Sequence, residues 1–207
     1  FTLHAIGTMV FDSVAYKSVI SNGLVLDKNG NKMSKRLGNA VDPFGAIEKY
    51  GTDPLRWYMI SNSSPWDNLK FDTDGVEEVS RKFFGTLYNT YSFFALYANI
   101  DGFDPTKYTL NKNTLSVMDK WILSKLNSTV KKVDNLLENY KITESTRVLE
   151  SFVDELSNWY VRRSRERFWG KDMPQDKINA YMTLYTALVT VAKASAPMIP
   201  FMAEDIY

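Results

Sequence analysis

The sequence predicts a mostly α-helical chain in which a small strand-containing region precedes a helical bundle. Apolar residues recur at intervals of three and four along most of residues 75–194, which is the period of amphipathic helices. Hydrophobic residues make up 44% of the 207 residues, enough for a packed core. Long amphipathic helices joined by short connections are typical of a bundle.

The beginning of the chain is predicted to consist of short elements. Phe1–Phe11 is an apolar run that suits a buried helix, although a strand is possible for so short a segment. Asn22–Asp27 alternates and is predicted to be a strand. A tight turn at residues 28–31 follows, because Asn and Gly tolerate the positive φ angles that such turns require.

Two helix starts come next, each marked by Asp before Pro. Asp42 is the predicted N-cap of a helix with Pro43 at its first position, and Gly51 is a natural stop. Asp53-Pro54 repeats the signal and predicts a second short helix through about Ile60.

A polar loop and four long helices make up the rest of the chain. Ser61–Phe71 is a loop by composition, and the end of the first domain is expected near it. The predicted domains are therefore residues 1–72 and 73–207. The four helices are predicted at Gly75–Ile100, Leu115–Tyr140, Thr143–Phe168 and Pro174–Ala194, before a last helical turn beyond Pro200.

Composition excludes several classes of function. With 25 basic and 24 acidic residues, net charge does not indicate a strongly basic nucleic-acid binder. The lack of Cys excludes disulfides, thiolate metal sites and a Cys nucleophile, and the single His4 has no partner, so no metal site is expected. No run is long enough to predict a membrane span, and no signal peptide is expected. Both ends interrupt a pattern, so we expect a fragment of a longer protein.

A basic loop, Lys32-Met33-Ser34-Lys35-Arg36, follows the predicted turn. Ammonium and guanidinium groups on a Gly-flanked surface loop can close over a polyanion, and positive charge matters most where negative charge develops during phosphoryl or nucleotidyl transfer. The alternative is a solvated lysine-rich turn, since short motifs have high false-positive rates.

The third predicted helix carries a row of arginines. At 100° per residue, the apolar face that contains Leu149 and Trp159 extends to Arg163 and Arg167. Burying an unpaired charge is expensive, so these guanidinium groups need carboxylates, phosphates or solvent. One alternative is a salt bridge to the first domain or to an acidic residue of the same helix, Asp154, Glu155 or Glu166. The other is contact with an RNA backbone, for which Arg suits phosphate geometry.

The basic loop closely resembles the KMSKS signature of class I aminoacyl-tRNA synthetases, with Arg36 in place of the final Ser. The flanking NGLVLD, LGNAVDP and YGTDPLRWY segments match as well. The segment SNWYVRRSRERFW resembles the isoleucyl branch, whereas valyl, leucyl and methionyl members carry different residues there. The resemblance covers essentially the whole chain, from TLHAIG to PMIPFMAEDIY.

This resemblance implies the last portion of a Rossmann-like α/β catalytic domain with a connecting stem-contact region, both within residues 1–72, followed by part of a helical anticodon-binding domain. The parent enzyme would activate isoleucine with ATP, with Mg²⁺ expected, and transfer it to tRNA(Ile). Lys32 and Lys35 would neutralise the triphosphate, with Met33, Ser34 and Arg36 completing the ATP loop. Arg163, Arg167 and Trp159 are the candidate tRNA contacts.

The family's HIGH motif, editing domain and zinc-binding tail are absent from this sequence. His4-Ala5-Ile6-Gly7 resembles the HIGH motif only superficially. The isolated chain is therefore expected to be inactive. A cytoplasmic, monomeric enzyme without a membrane partner is expected for the parent. Two alternatives remain: a non-catalytic helical RNA-binding module, and a different class I synthetase such as valyl or leucyl.

Overall fold

Helices dominate the structure, a computed structural model that describes residues 1–207. The predicted predominance of helix is confirmed. Strands are limited to two short segments that form a parallel pair. None of the helices combines the length and the apolar character that crossing a membrane requires.

The first helix, α1, spans Thr2–Phe11, which decides between the two alternatives for this segment in favour of helix. The prediction that it is buried is wrong for this chain. Gly7 is its one buried residue, and Phe1, Met9 and Phe11 are at least three-quarters exposed. The apolar composition of the segment predicted a helix, but it did not determine whether that helix is buried.

The sheet joins the predicted strand to a segment that was predicted to be loop. Strand β1 is limited to Val25–Leu26, and strand β2 is Leu69–Lys70, inside the predicted loop. They pair in parallel, with Val25 opposite Leu69. A strand of two residues shows no detectable alternation, so the pairing became visible only in three dimensions.

Helices α2 and α3 span Pro43–Tyr50 and Thr52–Ser61. The capping role of Asp42 is confirmed, because its carboxylate accepts hydrogen bonds from the backbone N–H groups of Phe44 and Gly45.

Asp53 does not cap the helix in which it lies, contrary to the sequence signal. Helix α3 begins at Thr52, two residues before the predicted first position Pro54, and has no side-chain cap. The buried Asp53 carboxylate instead accepts a hydrogen bond from the N–H of Met202, 2.8 Å away and 149 positions further along the chain. Met202 belongs to the first turn of the last helix, α11, Pro200–Ile206. The carboxylate therefore connects α3 to the last helix.

The bundle contains the four predicted long helices, two of which are interrupted by wider π-helical turns. The first consists of α4 and α5 around a π-turn at Ser80–Phe84, and the third consists of α7, α8 and α9 with a π-turn at Leu156–Val161. The bounds are α4 Thr73–Val79, α5 Gly85–Asp101, α6 Val117–Glu138, α7 Ile142–Glu155, α8 Arg162–Ser164, α9 Glu166–Trp169 and α10 Gln175–Ser195.

Thr143, the first residue of the third predicted helix, connects that helix to α3. The N-cap position of α7 is Lys141, without a side-chain cap. The Thr143 hydroxyl Oγ1 lies 2.8 Å and 2.9 Å from the carbonyl oxygens of Ile60 and Ser63. It therefore fixes the end of α3 against the bundle.

One large apolar core fills the bundle and extends to α3. The Trp57 ring is fully buried and stacks on Phe83, with ring centroids 4.2 Å apart. Trp57 Nε1 also donates a hydrogen bond to Glu150 Oε1 at 2.7 Å. Helix α3 thus packs against both interrupted helices, and this packing sets the position of the basic loop relative to the bundle.

Candidate functional site

The basic loop is held at its start by a narrow turn after β1. Lys32 forms an antiparallel bridge with Leu26, and the N–H of Asp27 donates to the carbonyl of Asn31 at 2.9 Å. Gly30 has φ +88°, a conformation that favours glycine, and a Cβ there would approach the Lys70 side chain of β2 at 3.3 Å.

Asp27 and Asn39 connect the two flanks of the loop. Asp27 Oδ1 accepts hydrogen bonds from the N–H groups of Asn29 and Asn31, at 3.0 Å and 2.8 Å. Asn39 Nδ2 donates to Asp27 Oδ2 at 2.9 Å, and Asn39 Oδ1 accepts from the N–H of Ser34 at 2.9 Å. The hydrogen bond from Asn39, followed by those from the backbone, lowers the pKa of Asp27. Its charged form is the form that this network binds.

Ser34 begins a short 3₁₀ turn that contains two of the three loop cations. Its Oγ accepts a hydrogen bond from the N–H of Arg36 at 3.2 Å, which caps the turn at Lys35–Leu37. The turn ends at Gly38, in the left-handed region with φ +67°. The hydroxyl oxygen of Ser34, a residue expected to complete the ATP loop, therefore accepts a hydrogen bond from the loop backbone.

The loop presents positive charge without neutralising partners. Lys32, Lys35 and Arg36 are exposed, and none of them belongs to a salt bridge. Lys70 lies nearby on the adjacent strand. Such a surface attracts anions, and water-exposed ammonium groups remain mobile enough to follow phosphate oxygens.

Met33 points away from these cations into an apolar pocket. The pocket has a volume of about 310 Å³ and lies beneath the loop. Its lining consists almost entirely of hydrophobic side chains from β1, α2, α3 and the segment after β2: Val25, Met33, Val41, Pro43, Ala46, Leu55, Met59 and Phe71. Met33 thus anchors the centre of the loop, while the flanking cations face solvent.

A second candidate site lies along the third bundle helix, where Trp159 and Arg163 are both exposed. The Arg163 guanidinium carbon lies 4.8 Å from the centroid of the Trp159 ring, within the range of a cation–π interaction. These residues share a groove of about 560 Å³ with Trp121 and Glu155. An exposed aromatic ring beside a guanidinium can contact both a base and a phosphate.

Arg163 and Arg167 do not continue the buried stripe of the helix, contrary to the sequence prediction. The π-turn at Leu156–Val161 inserts an extra residue per turn, which rotates the buried stripe by about 100° relative to an ideal helix. Ser164 and Phe168 consequently occupy the buried positions that an ideal period gives to Arg163 and Arg167, and Arg163 faces solvent.

Arg167 is bound by two carboxylates within the chain. Its guanidinium donates to both oxygens of Asp119, at 2.8 Å and 2.9 Å, and to both oxygens of Asp176, each at 2.8 Å. The salt-bridge alternative therefore describes Arg167. Its partners come from α6 and α10, not from the acidic residues suggested by the sequence, because helices that are distant in sequence meet in the bundle.

Asp119 lies at the centre of this buried polar cluster. Its side chain has no exposed surface, and it also accepts a hydrogen bond from Tyr160 Oη at 2.6 Å. Burial raises the pKa of Asp119, but hydrogen bonds from Arg167, Tyr160 and Ser116 outweigh burial, so the net shift is downward. Burial and the neighbouring Asp119 charge raise the pKa of Tyr160. The cluster therefore contains a carboxylate and a neutral phenol.

Arg56 and Trp57 have structural roles. Arg56 donates to the carbonyl oxygens of Met198 and Pro197, at 3.1 Å and 3.0 Å, and Trp57 lies in the core. Nearby, Asp53 Oδ1 is buried without a hydrogen-bond partner, and burial raises the pKa of Asp53. These contacts make α3 the joint between the loop region and the bundle.

Sequence reasoning missed Asp27 and Asn39 as site residues. Both lie in segments that flank the basic loop, NGLVLD and LGNAVDP. An Asp followed by Lys-Asn-Gly is a recognisable turn signal, because its carboxylate can accept from N–H groups two residues on. No local rule links Asp27 to Asn39, twelve positions later.

Two family models match separate parts of the chain. Residues 1–72 match the tRNA synthetases class I (I, L, M and V), and residues 119–207 match the anticodon-binding domain of tRNA ligase. The chain therefore belongs to the class I tRNA synthetases. Within that class, its similarity along the full chain is to isoleucine–tRNA ligases.

The relatives are similar over all of this chain but are much longer. Isoleucine–tRNA ligase of Bacteroides fragilis is 68% identical, and that of Porphyromonas gingivalis is 64% identical. The corresponding ligase of Clostridium novyi is 54% identical. Each comparison covers 100% of this chain, which spans 18% of the first two relatives and 20% of the third.

Solved structures share the fold at low sequence identity. The agnB2 LeuRS of Agrobacterium radiobacter K84, in a ternary complex with tRNA and LeuAMS, has a TM-score of 0.72 at 15% identity, over 99% of this chain and 24% of that one. A methionyl-tRNA synthetase of Mycobacterium tuberculosis, in complex with methionyl-adenylate, has a TM-score of 0.72 at 19% identity, over 90% and 36%. The predicted fold class, a Rossmann-like catalytic remnant followed by an anticodon-binding bundle, is confirmed.

Proposed function

We propose that this chain is the part of an isoleucine–tRNA ligase that brings a basic loop to the ATP site and begins the tRNA-binding bundle. The observation that carries the proposal is the arrangement of Lys32, Lys35 and Arg36 without a salt bridge on a loop held by Asp27 and Asn39. Identity to isoleucine–tRNA ligases along the full chain supports it.

In the proposed reaction, a carboxylate oxygen of isoleucine attacks the α-phosphorus of ATP. The bond between that phosphorus and the oxygen bridging to the β-phosphate breaks, so the products are isoleucyl-adenylate and pyrophosphate. A ribose hydroxyl of tRNA(Ile) then attacks the isoleucyl carbonyl and displaces AMP. Negative charge accumulates on the departing pyrophosphate, and fixed positive charge there lowers the barrier.

The loop residues have separate roles in this proposal. Lys35 and Lys32 neutralise the β- and γ-phosphates, with Lys35 the more important. Ser34 caps the 3₁₀ turn that contains Lys35, and Met33 anchors the loop in the apolar pocket. Arg36 adds positive charge at the position where the family motif has Ser.

The bundle is proposed to contact tRNA(Ile) through Arg163 and Trp159. Both side chains are exposed, and they lie together in one groove. Arg167, also expected to contact RNA, is assigned instead to hold the helix that presents this pair. Residues 1–72 and 73–207 remain the proposed domains.

The remaining parts of the proposal concern the whole enzyme. ATP is the nucleotide, and Mg²⁺ is expected to accompany it. No group of three His, Cys, Asp or Glu residues in the chain could hold a metal ion, and the proposal assigns none of its residues to Mg²⁺. The enzyme is proposed to be a cytoplasmic monomer, and the isolated chain is proposed to be inactive.

A second candidate function is a helical RNA-binding module with an incidental basic turn. The observation in its favour is the exposed pair Trp159 and Arg163 on an otherwise packed bundle. It differs from the first proposal in giving the Lys35 ammonium no part in adenylate formation.

Pyrophosphate exchange by the full-length enzyme tests the proposed function. Exchange should depend on isoleucine in preference to valine or leucine, and Lys35→Ala should reduce it by at least about 100-fold while tRNA affinity is retained. Exchange that is unchanged in Lys35→Ala, together with weaker tRNA binding, would support the RNA-binding module instead.

A further inference from the structure

We infer that Asn39 and Asp27 are positioning residues for adenylate formation, because they hold the two ends of the basic loop at a fixed separation. The inference rests on the proposed function of the loop. Asn39 contacts the loop at Ser34 and Asp27 at its entrance, so a single side chain links residues on both sides of Lys32 and Met33.

The orientation of the Asn39 amide is determined by its partners. The N–H of Ser34 can only donate, so the Asn39 atom that faces it at 2.9 Å is the carbonyl oxygen Oδ1. The ionised Asp27 carboxylate can only accept, so the atom that faces it at 2.9 Å is Nδ2. Nδ2 also lies 3.3 Å from the carbonyl oxygen of Lys32. A residue with only donors or only acceptors cannot make all three contacts.

Asp27 extends this link into the preceding turn. Its Oδ1 accepts the N–H groups of Asn29 and Asn31, while Oδ2 faces Asn39. The carboxylate therefore fixes the turn and the amide at once. Hydrogen bonds to a charged group are stronger than those between neutral groups. The hydrogen bond from Asn39 to the Asp27 carboxylate is therefore the strongest interaction across the loop.

Lys32 and Lys35 lie at the two ends of the loop segment whose backbone is held by the hydrogen bonds of Asn39. The backbone of Lys32 is fixed by its bridge to Leu26 and by Asn39, and Lys35 begins the 3₁₀ turn capped by Ser34. Releasing Asn39 would leave both cations present but would let their separation vary. A misplacement of about 1 Å at a reacting centre can reduce a rate by about 100-fold.

A reciprocal exchange of the two side chains tests this role in the full-length enzyme. Asn39→Asp places two carboxylates against each other, and Asp27→Asn places two amides with opposing donors. The double variant Asp27→Asn/Asn39→Asp restores a donor and an acceptor at that contact. It also keeps acceptors for the backbone N–H groups of Asn29, Asn31 and Ser34. It loses only the two longer contacts, from residue 39 to the Lys32 carbonyl at 3.3 Å and from Asn31 Nδ2 to residue 27 at 3.5 Å.

We expect each single variant to reduce kcat for isoleucine-dependent pyrophosphate exchange by about 10- to 100-fold, with the KM for isoleucine unchanged. The double variant should recover to within about threefold of the parent, since the lost interaction is restored by its exchange. Rates are expressed per folded enzyme, with thermal unfolding measured for each variant.

Three outcomes would overturn the inference: full activity in Asn39→Asp, no recovery in the double variant, or a loss explained entirely by unfolded protein. Lys35→Ala is the reference for the proposed function. If Lys35→Ala abolishes exchange while Asn39→Asp does not, only the positioning role fails. If Lys35→Ala leaves exchange unchanged, the proposed function fails.

Discussion

Arg167 forms two parallel hydrogen bonds with Asp119, at 2.8 Å and 2.9 Å, across the interface between the third bundle helix and α6. The Asp119 side chain is fully buried, and that of Arg167 is only 16% exposed. A guanidinium that faces a carboxylate in this geometry is fixed in orientation as well as neutralised. Arg163, four positions earlier, is free of such partners and faces the groove with Trp159.

Arg167→Ala should destabilise the protein. The substitution leaves a buried carboxylate at Asp119 without its cation, and breaking a buried pair costs about 3 kcal/mol or more. The free energy of unfolding in urea measures this loss. Arg165→Ala, at an exposed position of the same helix, is the matched control and should change stability by less than about 0.5 kcal/mol. Equal stability of the two variants would contradict this role of Arg167.

The Asp119 cluster should make stability depend on pH in acid. Because the pKa of Asp119 in the folded protein lies below its ordinary value of 3.8, the cluster stabilises the protein above that pH. This contribution should be lost as pH falls through the folded pKa. The stability difference between the parent and Asp119→Asn, measured by urea unfolding, should therefore shrink in acid. A difference independent of pH would contradict the assignment.

Arg163→Ala should weaken tRNA binding and leave stability nearly unchanged. If its guanidinium contacts one phosphate, its removal should reduce the slope of log affinity against log salt concentration by about 1. Filter binding of tRNA(Ile) to the full-length enzyme over a range of salt concentrations measures the slope. Lys131→Ala, an exposed cation on α6, is the control and should leave it unchanged. An unaltered slope in Arg163→Ala would remove Arg163 from the interface.

Trp57 should contribute to stability in two separable ways. Trp57→Phe keeps a ring that can stack on Phe83 but leaves Glu150 without its donor, which should cost about 1–2 kcal/mol. Trp57→Ala also removes a fully buried ring, which should cost about 3–5 kcal/mol. Urea unfolding separates these effects, with Trp169→Phe at an exposed position as the control. If both variants at Trp57 lose the same amount, the stacking on Phe83 contributes nothing measurable.

The sequence could predict the helices because their signals are local. The spacing of apolar residues located the four long helices, and Asp42 before Pro43 marked the start of α2. The basic loop was predicted from its charges and its flanking turn. Each of these features depends on residues within a few positions of one another.

The remaining features depend on contacts between distant residues or on helix geometry that periodicity does not record. Strand β2 exists because Leu69 meets Val25, and Asp53 caps a helix whose first turn lies 149 positions away. The π-turn at Leu156–Val161 changes the phase of the helix after it, so an ideal period placed Arg163 on the wrong face. Tertiary packing selects these features.

Single-turnover formation of isoleucyl-adenylate by the full-length enzyme tests the central claim most directly. Lys35→Ala and Lys28→Ala remove the same charge from exposed residues seven positions apart, one in the loop and one in the turn before it. The loop account predicts that the rate falls at least about 100-fold in Lys35→Ala and changes less than about twofold in Lys28→Ala. Equal rates in the two variants would contradict it.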